Sequence, residues 1–155
     1  MIKKITIEEF EKLLIYSHCK EFRDAYQRDF FRDMMLNGKP DFVEVDTDIL
    51  NLALQKLEEI EQEKRLLSET ARLNSLGIKY EKEGDIDRAI RAYEENIDLG
   101  YPATHAFERL RILYRRLGDN NNMKRVLKRY AEVFGCDNQW VEAQYNRYKK
   151  KGCPN

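Results

Sequence analysis

The stretch LNSLGIKYEKEGDIDRAIRAYEENIDLGYP, Leu73 to Pro102, decides how this chain folds. Leu73, Leu76 and Tyr80 fall at the three- and four-residue spacing of one helical face, and Gly84 stands where a left-handed residue closes such a helix. Asp85 is placed to cap a second helix, on which Ile86, Ala89, Ile90, Tyr93 and Ile97 share a face until Gly100 stops it. The stretch therefore predicts a helical hairpin.

The pattern recurs downstream. Gly84, Gly118 and Gly152 are spaced by 34 residues, and so are Tyr80, Tyr114 and Tyr148. Leu73 aligns with Phe107, Leu76 with Leu110, Ile78 with Ile112, and Gly84-Asp85 with Gly118-Asp119. Tyr101-Pro102 bends the chain, Thr104 is expected to cap the next helix, and Phe107, Leu110, Leu113 or Ile112, and Tyr114 repeat the apolar face. Met123, Val126, Leu127, Tyr130 and Phe134 form the returning helix, stopped by Gly135. Asn138 to Lys151, with Trp140, Val141, Tyr145 and Tyr148 on one side, reads as a single closing helix before Gly152. A fixed period of this length marks a stack of repeats, whose last apolar face needs a terminal cover.

On these residues the chain resembles the tetratricopeptide repeat family over about residues 70–152. Leu76-Gly77, Tyr80, Gly84-Asp85, Ala89, Tyr93 and Pro102 carry the resemblance nearly in order. It implies a short α-solenoid of two helical hairpins plus a C-terminal capping helix over residues 69–155; with an N-terminal helical pair read from residues 1–68 themselves, the expected fold is all-α. In that family Gly77 and Ala89 would sit where the hairpin's helices approach closely, with Tyr80 and Tyr93 around them. The second unit departs from the pattern, with Arg111 in place of Gly77, Met123 in place of Ala89 and Tyr130 in place of Asn96, so looser packing is expected there.

The resemblance also implies a function. Members bind an extended peptide or a helix in a concave groove lined by the first helix of each hairpin, which would make this chain a non-enzymatic protein- or peptide-binding adaptor. Carried over by position, the groove would be lined by Asn74, Ile78 and Glu81 of the first unit, His105, Glu108, Ile112 and Arg115 of the second, and Glu142, Asn146 and Lys149 of the last helix. Members that hold a C-terminal carboxylate use a lysine and an asparagine one turn apart, whereas this chain has Asn74 and Ile78, which argues against that clamp.

Residues 1–68 do not share the period. Thr6 and Glu9 form a capping box and Ile5 with Phe10 a hydrophobic staple, so a helix should begin there. Phe10, Leu14, His18, Phe22, Tyr26, Phe30 and Met34 advance by four, predicting one long amphipathic helix ending near Asn37-Gly38. DFVEVD, Asp41 to Asp46, reads as either an extended connector or a small strand. Asp46 or Thr47 caps the next helix, with Ile49 or Leu50, Ala53, Leu54, Leu57 and Ile60 inward; it either continues into the repeat or breaks near Ser68-Glu69-Thr70. The two N-terminal helices are expected to cap the first repeat.

Composition and motifs narrow the function classes. At 155 residues the chain is long enough for one ordinary domain, and 36% charged residues beside 11% aromatics describe a folded, well-solvated protein. No run is long and apolar enough to span a bilayer and MIKKITIEEF lacks a signal-peptide core, so a cytoplasmic protein without membrane association is expected. Cys19, Cys136 and Cys153 show no close pairing and suggest no disulfide framework. A phosphate loop, HExxH, a nucleophile elbow and paired metal-ligand spacing are all missing, so neither catalysis, cofactor nor metal is expected. His18 and His105 read as ordinary helix residues.

The net charge is zero, yet residues 41–100 hold sixteen Asp/Glu against eight Lys/Arg, and residues 101–155 five against twelve. That polarity implies either internal matching or two surfaces of opposite sign. Arg109, Arg111, Arg115, Arg116, Lys124, Arg125, Lys128 and Arg129 cluster on one hairpin, followed by Arg147, Lys149, Lys150 and Lys151. Nucleic acid is the less favoured partner, because a solvated face with basic helix ends accounts for the cluster without any nucleic-acid motif. Homo-oligomerisation through the acidic middle and basic end is a third expectation.

Overall fold

The computed structural model describes residues 1–149, so Lys150, Lys151, Gly152 and Cys153 lie outside the described residues. Seven helices and one two-stranded sheet occur among them, in the order β1 (Ile2–Thr6), α1 (Ile7–Tyr16), α2 (Lys20–Asn37), β2 (Phe42–Asp46), α3 (Thr47–Glu83), α4 (Ile86–Asp98), α5 (His105–Leu117), α6 (Asn120–Phe134) and α7 (Asn138–Tyr148). The protein is thus mostly helical, with a small sheet that the all-α expectation lacked. The chain divides into compact units Met1–Lys64 and Arg65–Asn155, a boundary that falls inside α3.

The first unit corrects the reading of its residues as one long helix followed by another. The ladder breaks at Ser17, whose hydroxyl donates to the Leu13 carbonyl at 2.5 Å and accepts from the Cys19 amide at 3.2 Å. His18 then takes a left-handed conformation, φ 51°, and is exposed rather than continuing an apolar stripe. Histidine tolerates that region better than most residues with a Cβ, at a cost on the order of 1 kcal/mol. The return brings Phe10 to within 4.8 Å of Phe30 and 5.3 Å of Phe22, centroid to centroid. In an unbroken helix Phe10 and Phe30 would lie about 30 Å apart. Burying Phe10 and Phe22 completely stabilises by roughly 1.5 to 3 kcal/mol each, which outweighs the strained residue.

DFVEVD forms a strand, β2, antiparallel to β1 with Ile2 opposite Asp46 and Thr6 opposite Phe42. β1 escaped the sequence reading because only Ile5 of its five residues is buried, giving no alternation to detect. The capping box at Thr6 and Glu9 forms as expected, and Asp46 caps α3 by accepting from the amides of Asp48 and Ile49. α3 continues without a break through Ser68-Glu69-Thr70.

In the second unit the two glycine turns are alike in detail. Gly84 and Gly118 have φ of 77° and 75°, a conformation only glycine adopts without strain. The amides of Asp85 and Asp119 each donate to the carbonyl of the tyrosine five residues earlier, Tyr80 and Tyr114, at 2.9 Å. Each aspartate then caps its helix by accepting from the backbone amide three residues on, at 3.0 and 2.9 Å. Thr104 differs from expectation: it occupies the N-cap position of α5 in a helical conformation, and its side chain makes no capping bond. The core of this unit runs from Ala89, Tyr93 and Ile97 through Leu110, Leu113, Met123 and Val126 to Val141 and Tyr145.

Candidate functional site

The interior of the second unit is pinned by two side-chain clusters of the same composition. Glu81 on α3 accepts from the Tyr93 hydroxyl of α4 at 2.8 Å and from the Arg109 guanidinium of α5, with Arg109 Nε at 2.9 Å. Glu94 on α4 accepts from the Tyr114 hydroxyl of α5 at 2.5 Å and from Arg125 of α6. A glutamate from one helix, a tyrosine from the next and an arginine from the one after make up each cluster, so the second is the first moved on by one helix. The Arg109 guanidinium, followed by the Tyr93 hydroxyl, holds the Glu81 carboxyl below its ordinary pKa. Burial and then the neighbouring carboxylate push the phenols of Tyr93 and Tyr114 above theirs. An ionised carboxylate held by a guanidinium and a neutral phenol makes charge-assisted hydrogen bonds that fasten neighbouring helices together.

This arrangement settles where the proposed groove residues stand. Glu81 is spent on Arg109 and Tyr93. Asn74 accepts from the Asn96 amide at 2.9 Å, and that amide also donates to the Thr70 carbonyl at 2.8 Å. His105 turns inward, edge-on to Tyr93 with centroids 5.9 Å apart, and its Nε2 is buried without a partner among the described residues. Glu142 is exposed and pairs with Lys124 at 2.8 Å, and the Lys149 ammonium lies 5.7 Å from the Tyr145 ring centre. Ile78, Glu108, Arg115 and Asn146 are exposed and Ile112 is half-buried. The residues free to meet a partner are therefore fewer than the ten carried over by position.

Five residues of the basic cluster are similarly engaged, while Arg115, Arg116 and Lys128 are exposed. Arg109 and Arg125 hold the two glutamates, Lys124 holds Glu142, Arg129 donates to the carbonyls of Ile97 and Asp98, and Arg111 lies 3.9 Å over the Tyr148 ring. The acidic middle and basic end meet at Glu81 with Arg109 and at Glu94 with Arg125.

Sequence reasoning missed a cleft of about 140 Å³ between α5, α6 and α7, floored by Phe107, Val126, Leu127 and Tyr130 and edged by Glu108, Arg111 and Trp140. Its origin is legible in retrospect. At Gly77 an added Cβ would lie 2.3 Å from the Tyr93 ring, so that ring fills the first hairpin's interface. At the positions 34 residues on, arginine replaces the glycine and Leu127 the tyrosine. Arg111 reaches instead to Tyr148, and Tyr130 stacks on Trp140 and Phe134 at 4.9 and 4.2 Å.

Comparison with known proteins gives no match among family models, curated proteins or solved structures. Among the described residues no helix is long and apolar enough to cross a membrane.

Proposed function

We propose that the second unit is a short tetratricopeptide-like stack that binds a protein or peptide segment and performs no catalysis. The observation that carries this reading is the repetition of one turn, Gly84-Asp85 and Gly118-Asp119, with the same hydrogen bonds at the 34-residue interval. The Glu-Tyr-Arg fastenings, shifted by one helix, support it as well, because like clusters recur where like helices succeed one another. The binding surface is Ile78 and Ile112 for apolar anchoring, with Glu108 and Arg115 fixing register through charge-assisted bonds and Asn146 and Lys149 extending it. A surface this short gives modest affinity and gains from a second attachment.

The test is a quantitative pull-down from the native lysate with wild type, Ile78→Asp and Arg115→Glu, two substitutions at exposed positions, with circular dichroism to check that each variant keeps its fold. Each variant is expected to lose a partner on the order of tenfold, about 1.4 kcal/mol. Unchanged capture of every partner would remove the proposal. Retention on mixed oligonucleotides that falls steeply with salt would replace it with a nucleic-acid role.

A further inference from the structure

The first unit holds a second candidate site, independent of the proposed function. In the β1-β2 pair the Thr47 amide donates to the Met1 carbonyl and the Ile7 amide to the Asp41 carbonyl. Alternation in an antiparallel ladder then makes odd-numbered residues the hydrogen-bonded pairs and turns the N–H and C=O groups of Phe42, Glu44 and Asp46 outward from β2. The Asp46 amide confirms this by donating outward to the Tyr26 hydroxyl of α2 at 2.7 Å. Beyond that closed end, α2 and β2 frame a cleft of about 500 Å³, and the outward backbone groups of Phe42 and Glu44 find no partner among the described residues.

We propose that this cleft takes an extended peptide of alternating apolar and Lys/Arg residues, which adds a strand to the open edge of β2. The open edge calls for an extended chain, since main-chain pairing is what its four outward groups offer. Met34, Phe42 and Val43, none of them buried, give the lining accessible apolar contact, while Asp29, Asp33 and Glu44 line it with carboxylates and no Lys, Arg or His does. Arg32 contacts Asp29 and Asp33 at 3.4 and 3.5 Å, but these pairs are exposed and so weak enough to exchange for an incoming cation. On its other edge β2 already pairs with a strand that carries lysine: β1 reads IKKIT, and its Lys4 ammonium lies 3.6 Å from Glu44.

The experiment titrates the isotope-labelled full chain with a capped hexapeptide of alternating valine and lysine. Saturable shifts at the Phe42 and Glu44 amides and slowed exchange of those two protons are expected. Glu44→Pro deletes an outward N–H that β1 does not use, so it should weaken binding on the order of tenfold or more, and Glu44→Gln by less. Asp29→Asn with Asp33→Asn, at exposed positions, should weaken the lysine peptide roughly threefold to tenfold and narrow its advantage over a valine-glutamate peptide. No saturable binding, equal binding of a backbone N-methylated peptide, or equal binding of the glutamate peptide would overturn the proposal. A dimer that Glu44→Pro converts to monomer would overturn it too, by assigning the edge to a second copy of the chain.

Discussion

The two helical hairpins share a turn but not an interface. In the first, Gly77 lets the Tyr93 ring pass close to the α3 backbone, and Asn96 ties α4 to the Thr70 carbonyl and to Asn74. In the second, Arg111, Leu127 and Tyr130 take the places of Gly77, Tyr93 and Asn96, and ring stacking with Trp140 and Phe134 replaces the polar tie. The lesson is that the glycine-aspartate turn holds the hairpin while the contact between its helices is exchanged as a matched pair, small with large for large with small. Such volume-conserving exchanges are what close-packed interiors tolerate best.

Breaking the match should have the largest effect. Gly77→Arg alone places a Cβ against Tyr93 and should lower stability by about 3 kcal/mol or more, measured by urea unfolding followed by circular dichroism. Adding Tyr93→Leu recreates the second hairpin's pair and should recover about 1 kcal/mol relative to the sum of the single changes. Strictly additive losses would mean that the two positions are not exchanged as a pair.

The polar tie ranks next. Asn96→Ala should cost about 1 to 3 kcal/mol, since it strips buried groups of their partner, whereas Tyr130→Phe at the matching place should stay within about 0.5 kcal/mol because its ring contacts remain. Similar losses at both positions would erase the contrast between the hairpins.

The fastenings sharpen the comparison through pH. Glu81 has a lowered folded-state pKa, so its contribution is fully present above the ordinary value of 4.5 and is lost as pH falls through the folded value. Arg109→Gln should flatten the wild-type decline in urea midpoint below pH 4.5, and an unchanged slope would show that the guanidinium does not hold the carboxylate. Of the two arginines the smaller effect is expected from Arg125→Ala, whose side chain is 49% exposed and whose loss should cost less than about 1 kcal/mol. A loss larger than that of Arg109→Ala, whose guanidinium is only 29% exposed, would invert the ranking by burial.

Legibility followed how local each cause is. The turn at Gly84-Asp85, the capping box at Thr6 and Glu9, and the strand at DFVEVD each rest on a few neighbouring residues, and the sequence exposed them or left them as a stated alternative. The break at Ser17-His18 was hidden, because the four-residue ladder continues through it and only the meeting of Phe10 with Phe30 repays the interruption. For the candidate groove residues the sequence placed helices but not availability: Asn74, Glu81 and His105 occupy the predicted helices, but Asn96, Arg109 and Tyr93 reach them from neighbouring helices.

By itself, the sequence determined the helical hairpins, their period and the turns between them, since glycine conformation, capping aspartates and apolar spacing act within a few residues of chain. Only the tertiary structure decided which charges are spent inside the protein and where the open strand edge lies. Partners such as Glu94 and Arg125, or Tyr26 and Asp46, are distant in sequence and meet only when packing brings their elements together.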